Sequence, residues 1–496
     1  MTKLGFAKDI AGLLRNAQTL WIVAPAAVLS KRKFPKPVAA ALGPLADLVL
    51  ELAKGVSPGD QGAARGTLTQ MAGPRRLRLG VLPDQVSRFN SPARAHAVRN
   101  VISGLARGGD GKTAVLLVLD EPEHYSAAVN SVARVLPLFS RKTKQKQRKS
   151  PKRGASQVQV CAVTTRGKNV RADAIIKATA ESVREAARLC DTPPSELDPA
   201  GLARQAKALL RGIAGVRVRE IVGKDLVAEG LGGVHGVGRA ALSPPRVVIA
   251  TWKPTRVTGP HVALVGKGVT YDTGGLNIKV GGSMSGMKAD MGGAAAVLGA
   301  FRTLALTKCK RRVSLVLCIA ENAIGPASYK PDDILVMHSG KTVEINNTDA
   351  EGRLLLADGV SYAARKLGAE IVLDAATLTG AQVISTGTVH AGIVSNEDEL
   401  ERLFVDAGRA SGDLCHPMIF APELFQAEFA SRVADMKNSV KNRRNAQSSC
   451  AAQFVHSHLE GCDVRWCHVD MAGPSRRDER GTGYGVALLR EAVARL

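Results

Sequence analysis

From about residue 195 onward, short apolar runs alternate with helical repeats, which limits the chain to a few α/β architectures. HVALVG (261–266), RVSLVLCIA (312–320) and AEIVLDAATL (369–378) are apolar on both faces, as strands covered on both sides are. GGAAAVLGAFRTLAL (292–306) and EGRLLLADGVSYAARKLG (351–368) carry helical spacing. The pattern predicts a central mixed sheet flanked by helices. In such sheets, sites form at strand ends and in the loops that follow them.

The N-terminal third repeats the alternation. TLWIVAP (19–25), LRLGVLP (77–83), TAVLLVLD (113–120) and QVQVCAVTT (157–165) read as strands. Residues 37–55 read as one helix, and 91–109 as another that opens on Ser-Pro and closes on Gly-Gly. This gives an α/β domain over 1–172. DAIIKATAESVREAARLCDTPP (173–194) is a long linker helix stopped by a Pro pair, and a second α/β domain fills 195–496.

No apolar run reaches the roughly 18–20 residues that cross a bilayer, so no membrane insertion is expected. The eight cysteines are scattered without a CxxC, as free thiols of a reducing compartment are. A cytoplasmic location follows. Lys3, Lys8 and Arg15 among apolar residues leave a mitochondrial presequence as the alternative, with Asp9 against it.

The formal net charge of +24 is uneven: residues 1–172 hold 29 Lys and Arg against 9 Asp and Glu. The densest run, RKTKQKQRKSPKR (141–153), has no aromatic to stack on a base. It reads as a solvated loop with non-specific affinity for polyanions.

Two motifs fail on context. ARGGDGKT (106–113) mimics a phosphate loop, but a helix precedes it and a strand follows, the reverse of the order such loops need. GVGRAA (236–241) mimics a dinucleotide fingerprint without a preceding strand or the acidic residue about 20 positions on.

Two other segments concentrate chemistry: VGKGVTYDTGGLNIKVGGSMSGMKADMGGAA (265–295) and NTDAEGRL (347–354). They place Lys267, Asp272, Lys279, Asp290, Asp349, Glu351 and Arg353 near loops. Four converging carboxylates cannot all stay ionised without a compensating cation. A pair of divalent ions suits them, and an oxygen-rich set without His favours Mg or Mn, or Zn where carboxylates dominate. Lys279 and Arg353 suit an anion or a developing oxyanion. Asp and Gly are also ordinary turn formers, and Lys–Asp pairs ordinary surface ion pairs. Either segment alone leaves that reading open; the two together weigh strongly against it.

VGKGVTYDTGG, KADMGGAA and NTDAEGRL, in this order, resemble the leucyl aminopeptidase family of metallopeptidases (M17) over about 195–496. DMKNSV (435–440) and GTGYGVALL (481–489) are most similar to its probable aminopeptidase-like 1 branch. The N-terminal third resembles the family in pattern and position only. The resemblance implies a catalytic metallopeptidase domain with two divalent ions per subunit (Zn or Mn, alternatively Mg or Co). Lys267 would be a neutral-amine ligand to one ion, together with Asp290. Asp349 would bind the other, and Asp272 and Glu351 would bridge. Lys279 would steady the tetrahedral intermediate. Arg353 would hold a bicarbonate ion as proton shuttle. Asn347, Thr377, Leu378 and Gly380 would position the substrate, Leu378 through its carbonyl, with Met287 near the side-chain pocket.

The implied activity is removal of single N-terminal amino acids, Leu or other apolar residues foremost, from peptides. The implied assembly is a homohexamer, a dimer of trimers. The alternative is a polyanion- or nucleic-acid-binding protein with secondary peptidase activity. A two-metal phosphatase would use similar carboxylates, but NTDAEGRL favours peptides.

Overall fold

A computed structural model describes residues 2–30, 34–107, 111–143 and 156–496. The chain divides into two compact units, Met1–Arg184 with Gly408–Asp413, and Glu185–Ala407 with Leu414–Leu496. The helix Ala174–Asp191 contains the division point.

The first unit is built on one sheet. Its strand order is Lys3–Phe6, Gln157–Thr164, Lys112–Leu119, Ala17–Pro25, Arg76–Leu82 and Ala63–Leu68, with Asn169–Val170 beside Gln157–Thr164. The inner pairs are parallel and Ala63–Leu68 is antiparallel. Two helices differ from expectation. Residues 37–55 form two helices, Lys36–Leu42 and Pro44–Ala53. Gly43 turns left-handed between them at φ +55°, and Pro44, lacking an N–H, starts the second. The described residues of 91–109 form a short helix, Ala95–Val101, and a 3-10 turn, Ser103–Arg107. Lys112–Leu119 follows that turn, in the order that rules out a phosphate loop. Residues 108–110, and 144–153 of the basic run, lie outside the described residues.

The second unit holds an eight-stranded mixed sheet. Its order is Cys415–Pro417, Ala391–Ser395, Arg465–Asp470, Ile371–Ala376, Val262–Asp272, Val313–Asn322, Arg246–Trp252 and Val216–Val222. The four inner strands, Arg465–Asp470 through Val313–Asn322, run parallel. Antiparallel strands flank them on both sides. Val262–Val269 and Val313–Ala320 are buried throughout, which explains their unbroken apolar sequence. The fold is thus the mixed α/β architecture the alternation predicts. GVGRAA begins inside the short helix Gly232–Gly238, where Gly236 packs on Leu335, so it is no nucleotide turn.

Helix Gly292–Leu306 packs so closely on the strand Ile371–Ala376 that a Cβ at Gly293 would lie 2.0 Å from the Ala375 carbonyl oxygen. Gly293→Ala must shift backbone on one side or the other. We expect it to lower unfolding free energy by about 1–3 kcal/mol in denaturant titration. An unchanged midpoint would show that the helix has slack. Among the described residues no helix is long and apolar enough to cross a membrane. No disulfide joins any of the eight cysteines.

Candidate active site

The parallel strands end on one side of the sheet, and the polar residues gather there. Val262–Asp272 pairs with Ile371–Ala376 only from Val262 to Gly266. Lys267 follows directly on the edge this frees, and a register shift between Val269 and Asp272 re-aims the strand's last residue. Asp290 and Glu351 each stand just before a helix, Gly292–Leu306 and Gly352–Arg365, where the partial positive charge of the first turn favours carboxylates. Gly352 is required for space: a Cβ there would lie 2.5 Å from Lys267 Cε.

The charges interlock. Lys267, 2% exposed, places Nζ 2.8 Å from Asp290 Oδ1, 2.8 Å from Glu351 Oε1 and 3.0 Å from the Thr377 carbonyl. Lys279 Nζ reaches Asp272 Oδ2 at 2.8 Å and also pairs with Asp349. Asp272 Oδ1 accepts from Gly274 N at 2.9 Å and Asn322 Nδ2 at 2.8 Å. Thr377 Oγ1 donates to Asp290 Oδ1 at 2.7 Å. Arg353 Nη1 donates to the Asn438 carbonyl at 2.9 Å, and its guanidinium lies over the Phe454 ring.

Hydrogen bonds brace the two loops that carry these groups. Thr348 Oγ1 donates to the Gly274 carbonyl at 2.6 Å and accepts from Asn277 N at 2.8 Å. Asn277 Oδ1 in turn accepts from Thr348 N at 2.7 Å. Asn438 Nδ2 donates to the Asn347 carbonyl at 2.7 Å, and Asn347 Oδ1 accepts from Asp349 N at 3.0 Å. Asp470 Oδ1 accepts from Leu378 N at 3.1 Å, fixing the loop after Ile371–Ala376.

Burial sets the proton affinities. It pushes the Glu351 carboxyl up to about 8 and Asp290 up to about 6, with neighbouring carboxylates adding to the effect. Burial also lowers Arg353 to about 10. Lys267 behaves differently: burial opposes its charge, but Asp290, Glu351 and Asp272 outweigh burial and hold the ammonium well above its ordinary range.

All twelve site residues expected from the sequence line one cavity of about 350 Å³. These are Lys267, Asp272, Lys279, Met287, Asp290, Asn347, Asp349, Glu351, Arg353, Thr377, Leu378 and Gly380. Thr379, beside the expected Leu378 and Gly380, and Ser439 of DMKNSV line it too, as do Arg443, Gln447, Ser475 and Arg476, which carried no motif that marked them.

Residues 184–490 match the cytosol aminopeptidase family catalytic domain. Human probable aminopeptidase NPEPL1 is 44% identical over 415 residues, which span 83% of this chain and 78% of that one. The chain belongs to the M17 leucyl aminopeptidase family. It is a metallo-aminopeptidase with an NPEPL1-like sequence. Residues 44–145 match the M17 aminopeptidase N-terminal domain 2, so the likeness extends into a region where sequence offered only a pattern. Leucine aminopeptidase 1 of Caenorhabditis elegans is 41% identical over 82% of this chain and 81% of its own. The solved structure of C. elegans leucine aminopeptidase matches with a TM-score of 0.87 at 35% identity, covering 100% of this chain and 98% of that one. Trypanosoma brucei leucyl aminopeptidase, solved with bestatin, matches at 0.89 and 34% identity, covering 100% and 96%.

The family is metal-dependent, and the residues present fit such a site. Asp272, Asp290 and Glu351 offer oxygens within 4.8 Å of one another. Glu351 Oε2 is buried without a hydrogen-bond partner, an arrangement that a cation would satisfy. The donors are carboxylate oxygens and one amine, a hard set suited to divalent ions.

Proposed function

We propose that this cavity hydrolyses the N-terminal peptide bond of peptides and releases single amino acids, Leu and other apolar residues foremost. The observation that carries the reading is the convergence of three buried carboxylates around Lys267 in a cavity open to a substrate.

Lys267, Asp272, Asp290, Asp349 and Glu351 would hold two divalent ions, Zn or Mn, alternatively Mg or Co. Such a pair supplies Lewis acidity toward the scissile carbonyl and a water of lowered pKa. Lys267 can act as a ligand only as a neutral amine, so it must give up the proton that Asp290 and Glu351 hold on it. Lys279 stands at the edge of the cluster, where an ammonium stabilises the oxyanion developing on the substrate carbonyl. Arg353, turned toward the cavity between Asn438 and Phe454, would hold a bicarbonate ion, the group that moves a proton to the leaving amine. The Leu378 carbonyl accepts from the substrate's amine, its own N–H being fixed by Asp470. Asn347, Thr377 and Gly380 orient the peptide, and Met287 borders the first residue's side chain.

Purified protein assayed on aminoacyl fluorophores with Zn, Mn or Co tests the reading directly. We expect chelation to remove turnover and an added ion to restore it. Full turnover under chelator would refute the metal assignment. A homohexamer, as a dimer of trimers, and a cytoplasmic location are parts of the same proposal, supported by the motif resemblance and by relatives named cytosol aminopeptidases. A mitochondrial location is the alternative.

The second reading, a polyanion binder with secondary peptidase activity, is favoured by the excess of 29 basic over 9 acidic residues in 1–172. We expect any DNA affinity to fall steeply with salt and to show no sequence preference. Salt-resistant, sequence-selective binding would promote this second reading.

A further inference from the structure

The hydrolytic reading leaves two cations of the cavity unused, the exposed Arg443 and the more buried Arg476. Arg476 lies on the hairpin formed by Arg476–Arg477 and Arg480–Gly481. Its turn residues Asp478 and Glu479 sit at φ +50° and +61°, as a two-residue hairpin turn requires. Thr482 N donates to the Ser475 carbonyl at 3.0 Å, and Gly481 N to Asp191 Oδ1 at 2.9 Å. The backbone that carries Arg476 is therefore pinned on both sides.

The guanidinium is half-buried. Its Nη1 donates to the Gly286 carbonyl at 3.1 Å, directly beside Met287. Gly286, at φ +92°, makes room: a Cβ there would lie 2.1 Å from that nitrogen. The nearby carboxylate of Asp191 is held by Arg480 at 2.8 Å. Among the described residues no carboxylate pairs with Arg476. Of five donors, the guanidinium thus spends one on a neutral acceptor. Its neighbours along the cavity wall are Met287, Ala472 and Ser475, a mixed surface rather than an apolar one.

We infer that Arg476 binds a carboxylate on the side chain of the substrate's first residue, so that N-terminal glutamate is a preferred substrate beside the apolar residues. The inference rests on the proposed function, which sets that residue next to Met287. The two methylenes of glutamate pack where a Leu side chain would, and its carboxylate meets a planar donor pair of matching geometry. Glutamine is the same size without the charge, and lysine is repelled.

The test is kcat/KM on Glu-, Gln- and Leu-fluorophores, with Mn-loaded wild type, Arg476→Met and Arg476→Lys. These substrates carry no C-terminal carboxylate, so a charge effect reports the side chain. We expect wild type to favour Glu over Gln by about tenfold or more, as a charge-assisted hydrogen bond allows. Arg476→Met should bring that ratio near one, while Arg476→Lys, which keeps the charge, should retain part of it. Leu turnover with a Glu-to-Gln ratio near one in wild type overturns the inference alone. So does an unchanged ratio in Arg476→Met. If wild type instead prefers Leu-Gly over Leu-Gly-amide and Arg476→Met loses that preference, the carboxylate is the peptide's C-terminus and the side-chain assignment falls. No turnover on any substrate overturns it together with the peptidase reading.

Discussion

Glu351→Ala is expected to abolish turnover and metal loading together. The carboxyl is 2% exposed, pairs with Lys267 through Oε1, and leaves Oε2 buried without a partner. Burial raises it to about 8, so its charge persists only where a cation repays the desolvation. Removing it takes away the carboxylate that pairs with Lys267 and lies within 4.8 Å of oxygens of Asp272 and Asp290. We expect a fall of at least about 10³-fold in kcat/KM, roughly 4 kcal/mol of barrier. Metal content measured on the same preparation should fall with it, and Asp349→Ala should behave alike. Full activity in either variant would sink the ligand assignment. Glu351→Gln separates charge from shape, since it keeps the side chain's size and removes the negative charge.

Lys279→Ala is expected to cost kcat and spare the metal. In the proposed site the ammonium is not among the groups that would hold the ions, and its side chain, 15% exposed, pairs with Asp272 at the edge of the cluster. Losing one donor to a developing oxyanion costs about 10²–10³ in kcat in comparable sites. KM and metal content should move little. A variant that bound no metal, or whose defect lay wholly in KM, would return Lys279 to the role of a structural counter-ion for Asp272 and Asp349.

The parts of this protein that were legible in its sequence are those in which one segment decides its own structure. Val262–Val269 is apolar throughout because both faces are covered, and Gly292–Leu306 has the residue limits its periodicity suggested. NTDAEGRL was legible because it packs three charged groups and a helix start into eight residues. Elements whose cause lies elsewhere were not. Ala63–Leu68 is largely exposed and has no apolar alternation, and it is a strand only because Arg76–Leu82 offers an edge. The break between Lys36–Leu42 and Pro44–Ala53 is written in Gly43-Pro44, yet the apolar spacing on either side masked it. Asn438 and Asp470 support the site across 91 and 92 residues of sequence, through hydrogen bonds that no spacing rule anticipates. Arg476 reaches the cavity only because a hairpin folds back beside Gly286.

The braces between Thr348, Gly274 and Asn277 have a mechanical consequence. Asp272 and Asp349 lie 77 positions apart along the chain, yet one hydroxyl and one amide clamp their loops into a single rigid piece. Neither carboxylate can drift without dragging the other, so the spacing of the pair is a property of the clamp rather than of either loop. A threonine absent from the cavity wall thereby sets the separation of two carboxylates that line it.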